Sequence, residues 1–271
     1  MKETLTRLLS GIVYIALLIF ATSFSFTTFL LLFGFFMVVC VIEYCALTKI
    51  PKTLPLVFAS LFYLAFIFVP LNEKYESAID TLLVVATILI NIRCINFLYN
   101  RKKTTVRPLL AYLFLAGYIV IPFLLLQKIP IVNGEFVPMI IIGIFILIWT
   151  NDTFAYIIGK SIGKTKLFER ISPNKTVEGF IGGLVFTMLA GILLTEFYFH
   201  QQRSTWLITA IIISIFGTLG DLIESKFKRM AGVKDSGTIM PGHGGILDRL
   251  DSVIFAAPII FLFYQITNYV S

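Results

Sequence analysis

Apolar residues along this chain fall into long blocks at about 8–26, 28–47, 53–71, 78–99, 109–127, 136–159, 179–198, 205–224 and 252–270. Each block approaches the roughly 20 residues that an α-helix needs to cross a hydrocarbon layer. The first two share one apolar stretch, and their division is expected between Thr22 and Thr28. The pattern predicts an all-α, polytopic integral membrane bundle of about nine transmembrane helices.

The polar interruptions supply an orientation. With the N-terminus inside, only Lys74, Lys128 and Arg203 of the 22 Lys and Arg fall on the outer side. That asymmetry predicts a cytoplasmic N-terminus and an external C-terminus. Lys2 and Arg7 before an apolar run imitate a secretory signal, but no small-residue cleavage site follows, so an uncleaved first helix is expected.

Composition agrees with a membrane protein. The 271 residues are 58% hydrophobic and only 14% charged, with a mean hydropathy of +0.93, whereas a soluble domain carries roughly 25% charged residues. The net charge of +7 sits between apolar blocks rather than on one face, so it argues for topology signals beside anionic lipid and against nucleic acid. Arg101-Lys102-Lys103 is expected to be such an anchor, and His200 an interfacial residue. Glu43 and Glu196 lie near helix ends and are expected to face the interface. Cys40, Cys45 and Cys94 are odd in number and lie in apolar blocks, which predicts buried, unpaired thiols.

The chemistry is concentrated in residues 217–252. Asp221, Glu224, Ser225 and Lys228 are spaced i, i+3, i+4, i+7 and make one polar stripe on a helix. Asp248, Asp251 and Ser252 repeat the i, i+3, i+4 spacing on the opening turns of a second helix. The loop between them carries Gly232, Gly237, Gly242, Gly244, Gly245 and Pro241, and glycines let backbone amides approach an anion. Carboxylates from two helices beside a basic, glycine-rich loop suit a divalent metal holding a polyphosphate. His243, between two glycines with nothing bulky to pack, is expected to bond a phosphate oxygen.

Ser225-Lys226-Phe227-Lys228-Arg229, Lys234-Asp235, His243-Gly244-Gly245 and Asp248-Arg249-Leu250-Asp251 together resemble the signature of the phosphatidate cytidylyltransferases, also called CDP-diacylglycerol synthases. Met240 stands where Leu, Ile or Phe is expected, a change that keeps size and apolarity. Two further segments share the resemblance. One is Trp149–Tyr156 with Gly159 and Lys160, the latter where the family often has Arg. The other is Ile171-Ser172-Pro173-Asn174-Lys175-Thr176-Val177-Glu178-Gly179, which on its own predicts a helix start.

What the resemblance implies is transfer of CMP from CTP to phosphatidate, giving CDP-diacylglycerol and pyrophosphate. Its catalytic residues would be Asp221, Asp248, Lys228, Arg229, Lys234, Asp235, His243 and Arg249. Asp152, Tyr156, Ser172, Lys175, Ser225, Gly244 and Gly245 would bind substrate. Asp221, Asp248, Asp251 and Glu224 would hold Mg²⁺ as one or two divalent ions, with a monovalent companion left open. CTP, phosphatidate and membrane lipids are the expected partners, and the membrane a bacterial plasma membrane with the active site facing the cytoplasm. The 271 residues are expected to form one membrane-embedded unit, in which 1–130 act as scaffold, lipid-facing wall or homodimer contact and 131–271 carry the chemistry.

Other enzymes and a transporter make different demands on the same residues. The Asp-Gly to Ala-Arg hallmark of CDP-alcohol phosphotransferases is missing. A transporter would spread its charges through the membrane depth, whereas these gather at one face. A polyprenol-type kinase, or a relative acting on another lipid phosphate, is the nearer alternative.

Overall fold

The computed structural model describes residues 2–69, 72–101, 106–199 and 202–267. Lys102, Lys103 and His200 lie outside the described residues. Within them the chain forms α1 Lys2–Phe24, α2 Phe26–Thr48, α3 Thr53–Phe68, α4 Glu73–Tyr99 and α5 Pro108–Lys128. Four more follow, α6 Pro138–Ile162, α7 Val177–Phe199, α8 Arg203–Ala231 and α9 Leu247–Ile266.

Eight of these helices are long and apolar enough to cross a membrane. The exception is α3. Its 16 residues rise about 24 Å, less than a hydrocarbon core of about 30 Å. The block at 53–71 gives this shorter apolar helix, which ends where Val69, extended at φ −88°, ψ 106°, precedes Pro70, a residue that disfavours helical backbone before it. The division between α1 and α2 falls where the polar residues predict it. Ser25 Oγ accepts from Thr28 N, and Thr28 Oγ1 accepts from Ser25 N, both at 3.1 Å, a reciprocal cap.

Two short antiparallel hairpins are added to the helices. β1 (Ile131–Val132) and β2 (Glu135–Phe136) are joined by Asn133 and Gly134, both left-handed at φ 51° and 77°, the backbone that a two-residue turn requires. β3 (Lys166–Phe168) and β4 (Ser172–Thr176) link α6 to α7. Strands this short leave no periodic trace in a sequence. Thr176 caps α7, as its spacing to Gly179 predicts, by accepting from Gly179 N at 3.1 Å. Glu178 returns to the hairpin and accepts from Thr165 N at 3.0 Å.

Small residues let α6 approach α7, and α8 approach α9, closely. A Cβ on Gly179 would lie 2.6 Å from Ala155 O and 3.1 Å from Gly159 Cα, so α6 and α7 pack backbone to backbone there. A Cβ on Gly220 would lie 2.4 Å from Asp251 O, which brings α8 equally close to α9. A π-helical turn at Ile213–Gly217 precedes the acidic part of α8.

The interior is aromatic. Phe227 on α8 packs against Tyr44, Phe97, Phe114 and Tyr118 from α2, α4 and α5, with ring centroids 5.0–6.2 Å apart. Beside it, buried Lys226 donates to the carbonyls of Phe97, Leu98 and Asn100, and Arg170 donates to those of Leu98 and Asn100. Two cations therefore satisfy the C-terminal carbonyls of α4, where the helix dipole favours positive charge. The outward faces of the bundle are hydrocarbon, with Leu31, Phe58 and Leu109 among the exposed side chains. Cys40, Cys45 and Cys94 are buried and free, as expected.

Candidate active site

The polar stripe of α8 and the opening turns of α9 meet across the Gly220 contact. Ligand atoms from Asp221, Glu224 and Asp251 all lie within 4.8 Å of one another. Glu224 is wholly buried, Asp251 nearly so, and Asp221 half-buried. Three carboxylates this close repel unless cations lie among them. Two lysines do. Lys175, on β4, forms an ion pair with Asp221. Lys228 Nζ lies 2.5 Å from Glu224 Oε2 and 2.6 Å from Asp248 Oδ1.

These lysines leave the cluster incompletely satisfied. The Lys228 ammonium donates to Asp248 and pairs with Glu224 Oε2, while among the described residues Glu224 Oε1 has no hydrogen-bond partner. A buried carboxylate oxygen without a donor is costly. An all-oxygen donor set containing one such group fits a hard divalent cation such as Mg²⁺, with thiolate or paired imidazole absent from the cluster.

Asp248 stands outside that trio. Its Oδ1 accepts from Lys228, and its Oδ2 accepts from Ser236 N at 2.8 Å, Ser236 Oγ at 2.9 Å and Gly245 N at 2.8 Å. It holds the glycine-rich loop to the start of α9. Gly244 has φ +87°, and a Cβ there would lie 2.6 Å from Asp248 Oδ2, so the loop needs glycine for both backbone and space.

A cavity of about 510 Å³ opens beside the cluster, lined in part by Asp152, Tyr156, Lys160, Ser172, Lys175 and Asp221. Three segments distant in sequence thus share one chamber of a size suited to a small organic ligand. Burial alone would lower the pKa of the Lys175 ammonium. The charges of Asp221 and Asp152 outweigh that effect and leave it raised, so the cavity holds a fixed positive charge at neutral pH. Ser225 Oγ donates to Asp221 Oδ1 at 3.1 Å and steadies it.

The remaining predicted residues are more dispersed. Arg229 is exposed and donates to Val233 O at 3.1 Å. Lys234, Asp235 and Arg249 are exposed on or beside the loop. His243 does have a packing partner, contrary to expectation. Its Nδ1 lies 2.7 Å from Ser10 Oγ on α1, and Ser10 Oγ donates to Pro241 O at 2.9 Å. With its proton on a carbonyl, the serine accepts Nδ1–H and leaves Nε2 as the free acceptor. Burial, then Arg249 and Arg7, pushes the His243 pKa down.

One expectation is corrected outright. Glu43 is not at the interface but buried in α2, where it accepts from Ser236 Oγ, Ile246 N and Leu247 N. Its position in an otherwise apolar block was the one signal of this role, because an ionisable group there needs partners. Glu196 is exposed, as expected.

The chain is similar to known proteins. A phosphatidate cytidylyltransferase of Staphylococcus haemolyticus (strain JCSC1435) is 54% identical over 118 residues, covering 43% of this chain and 45% of the relative. Proteins of the same name from Staphylococcus saprophyticus and Staphylococcus aureus (strain COL) are 54% and 51% identical over the same shares. These alignments span less than half the length of the relatives. The family model described as "Cytidylyltransferase family" matches residues 5–267, nearly every helix described above. The chain belongs to the cytidylyltransferase family.

Proposed function

We propose that this protein transfers the cytidylyl group of CTP to phosphatidate, releasing pyrophosphate and forming CDP-diacylglycerol. The observation that carries the reading is the close trio of carboxylates Asp221, Glu224 and Asp251, with Oε1 of Glu224 lacking a donor among the described residues, at the edge of a cavity that also holds the Lys175 cation. Family membership and the names of the relatives support the same chemistry.

An oxygen of the lipid phosphate would attack the α-phosphorus of CTP as the α–β bridging bond breaks and its electrons leave with pyrophosphate. Such transfers depend mainly on positioning and charge neutralisation. Asp221, Glu224 and Asp251 would hold Mg²⁺, which when bound neutralises triphosphate oxygens. Lys175 has donors free to reach a phosphate in the cavity once Asp221 turns toward the cation. Lys228 stays between Glu224 and Asp248, and fixes the spacing of the two helices. Arg229, Lys234 and Arg249 would screen the leaving pyrophosphate, and His243 would offer Nε2 to a nucleotide group. Asp152, Tyr156 and Ser172 would shape the walls against which lipid and nucleotide align.

The distribution of Lys and Arg favours a cytoplasmic N-terminus and a site open to the cytoplasm, where CTP is available. The bacterial relatives favour a plasma membrane location. Purified protein in detergent, given phosphatidate, Mg²⁺ and CTP labelled at the α-phosphate, should move label into lipid, and EDTA should stop it. Label that stays aqueous with folded protein and several phosphatidates would overturn the assignment. Lipid labelled from γ-phosphate CTP would indicate a kinase instead.

A further inference from the structure

The geometry points to Glu43 as a positioning residue for the acidic cluster, acting through the glycine-rich loop. The role rests on the cytidylyltransferase reading of that cluster.

Glu43 belongs to α2, and all its partners lie about 200 residues away in sequence. Oε1 accepts from Ile246 N at 3.0 Å, and Oε2 from Leu247 N at 2.8 Å. These are the opening amides of α9, which have no partner within the helix and sit at its positive end. A carboxylate held there fixes where α9 starts. The loop wraps closely around it. A Cβ on Gly237 would lie 2.4 Å from Oε1, and one on Gly245 would lie 2.4 Å from Oε2.

The link to the cluster passes through Ser236. Its Oγ lies 2.9 Å from both Glu43 Oε2 and Asp248 Oδ2, and its one proton serves one carboxylate at a time. Asp248 in turn holds Lys228, which lies between it and Glu224. A continuous polar path therefore runs from Glu43 to Glu224, while the start of α9 that Glu43 fixes also carries Asp251. A simple fold staple would need only the amide contacts. The shared serine couples Glu43 to the ammonium that spaces the carboxylates of the cluster.

The test uses full-length protein in detergent and compares Glu43→Gln, Glu43→Asp and Ser236→Ala with wild type. Mn²⁺ affinity is measured by paramagnetic resonance without nucleotide, and the Mg²⁺ dependence of turnover is measured separately. Glu43→Gln should weaken Mn²⁺ binding about 10-fold and raise half-saturating Mg²⁺ similarly, with KM for phosphatidate within about twofold. Glu43→Asp keeps the charge on a shorter arm and should restore part of the affinity. Ser236→Ala should shift both readouts the same way by a smaller factor, and it decides the matter if Glu43→Gln does not fold. Folded Glu43→Gln with wild-type Mn²⁺ affinity would overturn the proposal. So would a loss confined to the yield of folded protein, with Ser236→Ala unchanged. Wild type that binds Mn²⁺ but transfers no label would sink the cytidylyltransferase reading, while the Mn²⁺ comparison would still decide the role of Glu43.

Discussion

Two ionic clusters among the described residues are built differently. At the end of α5, Lys128 Nζ donates to Glu76 Oε1 at 2.8 Å and to both oxygens of Asp80 at 2.8 and 2.7 Å. That uses all three protons of the ammonium, and half-exposed Glu76 has water for the rest. At the α8–α9 junction, two lysines face Asp221, Glu224, Asp248 and Asp251, and Oε1 of wholly buried Glu224 has no donor among the described residues. The first cluster is complete as it stands. The second has coordinating capacity left over, so the two differ in satisfaction and burial.

The contrast can be broken most sharply at its most buried member. Glu224→Gln or Asp251→Asn should lower label transfer from CTP on the order of 10³-fold, because charge stabilisation of this kind contributes several kcal/mol. Size-exclusion and melting behaviour in detergent would show that the fold survives. Equal activity in either variant would place the centre elsewhere.

Lys175→Met should cost about 100-fold in kcat/KM, since a fixed cation facing phosphate would be lost. The sign of its pKa shift adds a pH test. A raised folded-state pKa keeps the ammonium charged through neutral pH, and its contribution is lost only as pH rises through that raised value. Wild type should therefore show no alkaline fall from Lys175 below the ordinary lysine range. Asp221→Asn should bring that fall to lower pH in any residual activity.

His243 has the opposite sign. Its depressed pKa keeps the ring neutral, and the contribution present at higher pH is lost as pH falls through the lowered value. Activity should hold until below the usual histidine range, and a pH–rate profile of Ser10→Ala should show KM for CTP raised by roughly 3–10-fold. The smallest effect is expected at the complete cluster. Lys128→Met should lower the melting temperature by roughly 2–4 °C, the equivalent of about 1 kcal/mol, with turnover per folded molecule unchanged.

What the sequence reveals follows from the range of the forces involved. Membrane thickness imposes block lengths on residues near in sequence, so the helices and the Ser25 break are legible. The α8 stripe is legible for the same reason, since Asp221, Glu224 and Lys228 are neighbours on one helix. The shortness of α3 is also local, since Pro70 disfavours helical backbone at Val69. The different surroundings of Asp248 and Asp251 are not legible, because both lie on the same side of α9 and the rotation of that helix decides which meets α8. Glu43 and Ser10 were hidden more deeply. Their partners lie over 190 residues away, and no spacing rule connects residues across such a distance.

The same long-range contacts have a consequence for how the protein is made. Chains are synthesised from the N-terminus, and early helices settle in the bilayer while later ones are still on the ribosome. A nascent chain that has reached Ala231 already displays Asp221 and Glu224, yet Asp251 and the loop that Glu43 and Ser10 receive have not been translated. α1 and α2 wait in the bilayer with half of a joint, and arrival of α9 supplies the other half. Activity should therefore switch on late in biogenesis, as a property of the whole chain and of none of its early fragments.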